Sequence, residues 1–237
     1  MKIRQFTFPF LIGSICFLYL LGRAAWVPIS HDEAATFFHY IQPASFIPYY
    51  AHWDANNHFL NSALAYLFGS VFGNELFWFR LPNVLSFVLY AYYGWKILSQ
   101  IEDQLIRNLA FTALLTAWLP LEFFAQLRGY GLSLGLLMGS LFYLYSFARE
   151  TKPAKLFVSL LFIIAACLSN ASLSNSFLLI LAMQFLLIIK SAAYRKLNIL
   201  LFVLFGLIPY SLLAKYAFDM KERGLLYYGT TEGFIDV

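Results

Sequence analysis

All four histidines of the chain, His31, His39, His52 and His58, fall between Trp26 and His58, and Asp32, Glu33 and Asp54 share that stretch. Ionisable side chains beside apolar segments are costly unless they are solvated or used. A carboxylate in such a place can act as a base at the membrane surface. Asp32-Glu33 is the sharpest pair. A helix beginning at Ser30 or Asp32 explains it locally, because either residue can cap and Glu33 suits a first turn. On that helix the neighbours of Asp32 are Ala35 and Thr36, and those of Glu33 are Thr36 and Phe37. One acid can therefore face a site while the other anchors the helix.

Two further groups carry chemistry. His52-x-Asp54-x3-His58 offers the ligand types that zinc or manganese take, so a divalent metal is a candidate cofactor. Its spacing matches no strong signature, and solvated loop residues are the plainer reading. Arg128 is the only basic residue between Arg107 and Arg149. Pairing with Glu122 or snorkelling to headgroups would account for it. Binding a phosphate would account for it equally, since the guanidinium fork matches that shape. Arg80, just before Pro82 at the start of an apolar run, reads as structural by default. Cys16 and Cys167 sit in apolar runs and read as small buried hydrophobes.

The elements that must position these groups are membrane helices. The chain of 237 residues is 61% hydrophobic and 12% charged; a soluble domain has about 25% charged residues. The scattered basic residues form no nucleic-acid-binding stripe. Apolar runs predict seven spans, near Phe6–Trp26, Leu81–Leu98, Leu109–Phe124, Tyr130–Phe147, Leu156–Leu168, Phe177–Ile189 and Ile199–Ala214. The first reads as a retained span, although Arg23-Ala24-Ala25 weakly imitates a cleavage site. With the N-terminus in the cytoplasm, Lys2, Arg4, Lys96, Arg107, Arg149, Lys152, Lys155, Lys190, Arg195 and Lys196 all face inward. No Lys or Arg occurs between Arg23 and Arg80, which places the loop 27–79 outside. The joints Gln126–Gly129 and Ser169–Ser176 and the tail after Lys215 join it there. Asn170-Ala171-Ser172 is an outward-facing sequon. The whole chain, 1–237, reads as a single transmembrane domain.

The run His58–Phe72 is short for a span, and an eighth crossing would turn three basic clusters outward. It therefore predicts a helix lying in the outer interface. His58, Asn61, Ser62, Ala65 and Gly69 share one face, and Phe59, Leu60, Leu64, Leu67, Phe68 and Val71 cover much of the remainder. Trp26, Phe37, Phe38, Tyr40, Phe46, Tyr49, Tyr50 and Trp53 suggest that the rest of the loop also rests on the interface.

Five motifs then appear in order: His31-Asp32-Glu33-Ala34, Asn57-His58-Phe59-Leu60, Phe72-Gly73-Asn74-Glu75, Arg80-Leu81-Pro82-Asn83 and Leu127-Arg128-Gly129-Tyr130. Their order and spacing over residues 7 to about 147 resemble the GT-C glycosyltransferases, within them the protein O-mannosyltransferase and aminoarabinose-transferase group. The family's diproline is replaced here by His58-Phe59, and the turn at Phe72–Glu75 is one residue shorter than the family pattern.

The resemblance implies an inverting transfer of a sugar from a polyprenyl-phosphate donor to a hydroxyl of a lipid, protein or glycan acceptor on the non-cytoplasmic face. It implies Asp32 as base, with Glu33 positioning it or the acceptor, and Arg128 on the donor phosphate. Asn57, His58 and Tyr130 would line the donor site. The family's greater length makes residues 1–237 an expected N-terminal module, and a bacterial inner membrane the expected location. Two other classes compete. A transporter or flippase would carry ionisable groups at mid-membrane, and a non-catalytic assembly subunit would not depend on Asp32.

Overall fold

The computed structural model describes residues 3–225, with side chains from Thr7 onward. Lys2, the side chains of Arg4 and Phe6, and the tail beyond Leu225 lie outside the described residues. Every regular element among the described residues is helical, and none is a strand. α1 runs Ile3–Trp26, α2 His31–Thr36, α3 Phe59–Phe72, α4 Leu76–Leu98 and α5 Gln104–Thr116. α6 is Trp118–Phe123, α7 Gly129–Glu150, α8 Pro153–Ser169, α9 Ser174–Lys190, α10 Arg195–Phe202 and α11 Ile208–Glu222.

Four helical stretches are long and apolar enough to cross a membrane: Thr7–Trp26, Gly129–Glu150, Ala171–Lys190 and Arg195–Glu222. α3 and α8 are shorter apolar helices. The run Leu109–Phe124, expected as one helix, is two. Pro120 has no N–H to offer the Thr116 carbonyl, and its ring would clash there. The chain breaks at Ala117, with ψ of 116°, and restarts as α6. Pro209 is accommodated differently. A π-helical turn at Val203–Leu207 absorbs one extra residue, so α10 and α11 stay continuous.

Two large apolar cores and two smaller clusters result among the described residues. One large core joins α1, α4 and α5 through Cys16, Leu20, Ala24, Val84, Phe87, Phe111 and Leu115, together with Phe124. The other joins α7, α8, α9 and α10 through Phe147, Leu156, Leu160, Ile163, Phe177, Leu181 and Phe202. α7 packs against both α4 and α8 and so links the two.

α3 turns the small-and-polar face that its sequence pattern marks toward the protein, where Asn61, Ser62, Ala65 and Gly69 are buried. Tyr66, Leu67, Val71 and Phe72 face outward. Asn83 donates to Asn61 at 2.5 Å, and the Phe79 ring lies on Gly69, where a Cβ would sit 2.1 Å from it. His58 meets Gly129 and Ser169, at the start of α7 and the end of α8. α3 thus runs antiparallel along the first part of α4, with Asn61 against Asn83 and Gly69 against Phe79, and its N-terminal end also meets the ends of α7 and α8.

Candidate functional site

Ser30 caps α2 in a capping box. The Glu33 N–H donates to Ser30 Oγ at 3.4 Å, and the Ser30 N–H donates to Glu33 Oε2 at 2.9 Å. This turn fixes the two acids in opposite directions. Glu33 is 1% exposed, and the Asp32 side chain is 58% exposed.

Glu33 is fully engaged. Arg80 Nε donates to Oε1 and Nη2 to Oε2, both at 2.7 Å, and the Leu127 N–H donates to Oε1 at 2.6 Å. Burial pushes the carboxyl up, but Arg80 and the N–H groups of Leu127 and Ser30 outweigh it and hold it below its ordinary value. Arg80 is saturated too. Nη1 donates to the carbonyls of Ala24 (3.1 Å) and Val27 (2.7 Å), and Nη2 to that of Pro28 (3.2 Å). The Ala24 carbonyl is among the last of α1 and has no continuing helix to accept from. One ion pair therefore ties together the end of α1, α2, the start of α4 and the segment before α7.

Arg128 is built differently. It is the N-cap of α7 and is 3% exposed. Nη2 donates to Asn56 Oδ1 at 2.9 Å and to the Tyr130 hydroxyl at 3.2 Å, and lies 3.8 Å from Asp32 Oδ2. Nη1 makes one long bond, 3.4 Å, to the Asp32 carbonyl, and Nε makes none within the protein. Donor capacity is left over on a guanidinium that faces an exposed carboxylate. The cation also sits at the positive end of the α7 dipole, where an anion is the favoured charge. Glu122 does not pair with it. Glu122 instead accepts from Arg23 and, at 2.6 Å, from the Tyr19 hydroxyl.

His58 is 4% exposed, and its Nδ1 lies 2.8 Å from the Ser169 carbonyl. A carbonyl only accepts, so Nδ1 carries the proton and Nε2 is a bare acceptor. Burial, reinforced by the charge of Arg128, lowers its pKa to about 3 against the opposing pull of Ser169 and Asp32. His58 is a neutral ring at physiological pH. The Tyr130 ring stands at 5.0 Å from it, edge to face. Asn57 donates to the Phe46 carbonyl at 3.5 Å. Asn57 Oδ1, His58 Nε2, Asn61 Nδ2 and Ser62 Oγ are all buried without a partner in the protein. Tyr40, Gln184 and Asn198 each hold one such atom elsewhere, but here four fall within six residues of the chain.

The expected residues therefore divide. Asp32, Arg128 and Tyr130 come together, with His58 next to Tyr130, and Asn56 joins them unanticipated. Glu33 is next to them in sequence but is turned into the protein. His52, Asp54 and His58 do not converge. His52 stacks on His39 at 4.5 Å, Asp54 accepts from the Asn56 N–H at 2.8 Å, and His58 is held by Ser169. No group of three His, Cys, Asp or Glu side chains among the described residues is placed to hold a metal ion. Asn56 carried no signal beyond its place in the polar Asp54–His58 run, and Ser169, 111 residues from His58, carried none. Comparison with protein-family models, curated proteins and solved structures gives no match.

Proposed function

We propose that the chain is the membrane module of a GT-C-like glycosyltransferase that moves a sugar from a polyprenyl-phosphate donor to an acceptor hydroxyl. The observation that carries this reading is the open Asp32 carboxylate set against a buried, under-bonded Arg128 at the start of α7. In the proposed step Asp32 takes the acceptor proton as the hydroxyl oxygen forms its bond to the sugar carbon. The bond from that carbon to the phosphate oxygen breaks on the opposite face. The polyprenyl phosphate leaves with the electron pair, and Arg128 balances the charge that develops on it. Glu33 is a positioning residue, because its bonds to Arg80 and Ser30 set the turn that presents Asp32. Asn56 and Tyr130 orient Arg128, while Asn57 and His58 offer neutral polar atoms to the donor.

The reading includes seven spans, with α4, the α5–α6 pair and α8 crossing alongside the four longer stretches. It places the N-terminus in the cytoplasm, α3 in the outer interface and the protein in a bacterial inner membrane. The test is transfer from a radiolabelled polyprenyl-phosphate sugar by the full-length protein in its membrane. Asp32→Asn should abolish turnover and leave membrane insertion unchanged. Retained turnover would overturn the assignment.

A further inference from the structure

A second feature lies at the opposite end of α1 and α4 from Asp32. There α1, α4 and α5 leave a groove of about 960 Å³. Phe10, Phe17, Phe87, Val88, Trp95 and Phe111 form much of its wall, and Gly13 and Ala91 keep it open. Phe10 and Val88, 77% and 52% exposed, mark its open side. Along α1 it extends from Thr7 to Leu18 and along α4 from Phe87 to Lys96. At 1.5 Å per residue that is roughly 14–16 Å, about half of a bilayer hydrocarbon core. Its end nearer the helix termini carries Lys96, and among the described residues no Asp or Glu lines it. Arg107 stands 5.6 Å over the Trp95 ring but donates to the Ile101 carbonyl at 3.0 Å, which leaves Lys96 as the cation lining the groove. Asp103 is engaged as the cap of α5.

A groove one leaflet deep, apolar along its length and cationic at its rim, matches a single lipid of that leaflet with a negative headgroup. We propose that it is a binding site for an anionic phospholipid, with an acyl chain along Phe10, Phe17 and Val88 and the headgroup phosphate at Lys96. The proposal rests on α1 crossing a bilayer and is independent of the transfer reading.

Trp95 reports on the groove directly. The full chain is reconstituted in phosphatidylcholine vesicles containing a small fraction of brominated phosphatidylglycerol or brominated phosphatidylcholine. Subtracting the emission of Trp95→Phe isolates the Trp95 signal. One lysine near an anionic surface corresponds to about five-fold enrichment, so phosphatidylglycerol should quench Trp95 about five-fold more effectively at equal fraction. Lys96→Gln should equalise the two lipids. Gly13→Leu should protect Trp95 from both, because a Cβ at Gly13 meets nothing within 4 Å and the added side chain enters the groove. Equal quenching in the unmodified protein, or a preference that survives Lys96→Gln, would overturn the proposal. So would an unquenched Trp95 in a dimeric protein, which would assign the groove to a second copy.

Discussion

The Glu33 carboxylate and the Arg80 guanidinium meet in two parallel 2.7 Å bonds at a point where neither side chain is more than 2% exposed. A buried pair is weak evidence of net stabilisation, but breaking one leaves an uncompensated charge at about 3–5 kcal/mol. Glu33→Gln should therefore lower the thermal midpoint in detergent by several degrees. Arg80→Lys should do the same despite keeping the charge. One ammonium cannot serve both carboxylate oxygens and the carbonyls of Ala24, Val27 and Pro28. A wild-type midpoint in Arg80→Lys would show that the fork is not needed.

Acid should destabilise the protein in two stages. The unfolded histidine titrates near 6.5, while folded His58 resists protonation down to about 3. Between those values the unfolded state holds the extra proton, so stability falls as pH falls, by at most about 1.4 kcal/mol per pH unit. Glu33 is depressed below its ordinary 4.5, so its contribution is complete above that value and is lost as pH falls through the folded value. Melting curves from pH 7 to pH 4 should therefore decline from about 6.5 downward. His58→Asn should flatten the upper part of the decline, and Glu33→Gln should flatten only the part below 4.5. An unchanged upper slope in His58→Asn would place the titration elsewhere.

How much of this was readable from residue order depends on distance along the chain. The Ser30–Glu33 capping box was readable because it closes within one turn. The Pro120 break was readable in principle, yet hydropathy averaged across it and merged α5 with α6. On α3 the face was identified, but its partner was not. Polar residues at i, i+3 and i+4 look alike whether they face water or Asn83 and Phe79. Nothing local separates Asp32 from Glu33 by role, since the distinction comes from Arg80 and Leu127, both far along the sequence. Arg128 was conspicuous as the only basic residue between Arg107 and Arg149, whereas its leftover donor capacity is a property of folded neighbours alone.

Asp32 and Arg128 should show weak coupling in stability and a strong effect on activity. Their closest approach is 3.8 Å, with Asp32 more than half exposed, so solvent screens the pair. A double-mutant cycle on thermal stability with Asp32→Asn and Arg128→Lys should give less than about 1 kcal/mol. A general base contributes about 10²–10⁴-fold to rate, so Asp32→Asn should lower kcat by that order. Arg128→Lys, which loses the fork held by Asn56 and Tyr130, should chiefly raise KM for the lipid donor. If both variants lost activity only in proportion to lost folded protein, the pair would be structural.

Gly129 supplies the sharpest test of how the site is held. A Cβ there would sit 1.7 Å from the Ser169 carbonyl oxygen and 3.0 Å from His58 Cβ. The obstacle is mainly backbone, so no rotamer change relieves it, and the start of α7 must part from the end of α8. Overpacking of this kind costs about 1–3 kcal/mol. The movement would carry the adjacent Arg128 away from Asp32 and Asn56 and strain the His58–Ser169 bond. Gly129→Ala should therefore lower the thermal midpoint and raise the donor KM together. Gly13→Ala, where the same methyl group meets nothing within 4 Å, should leave both unchanged. Because Gly129 has no side chain to touch a ligand, a KM effect there must act through the neighbours it displaces, Arg128 and His58. A Gly129→Ala protein with an unaltered midpoint would show that α7 and α8 do not approach this closely.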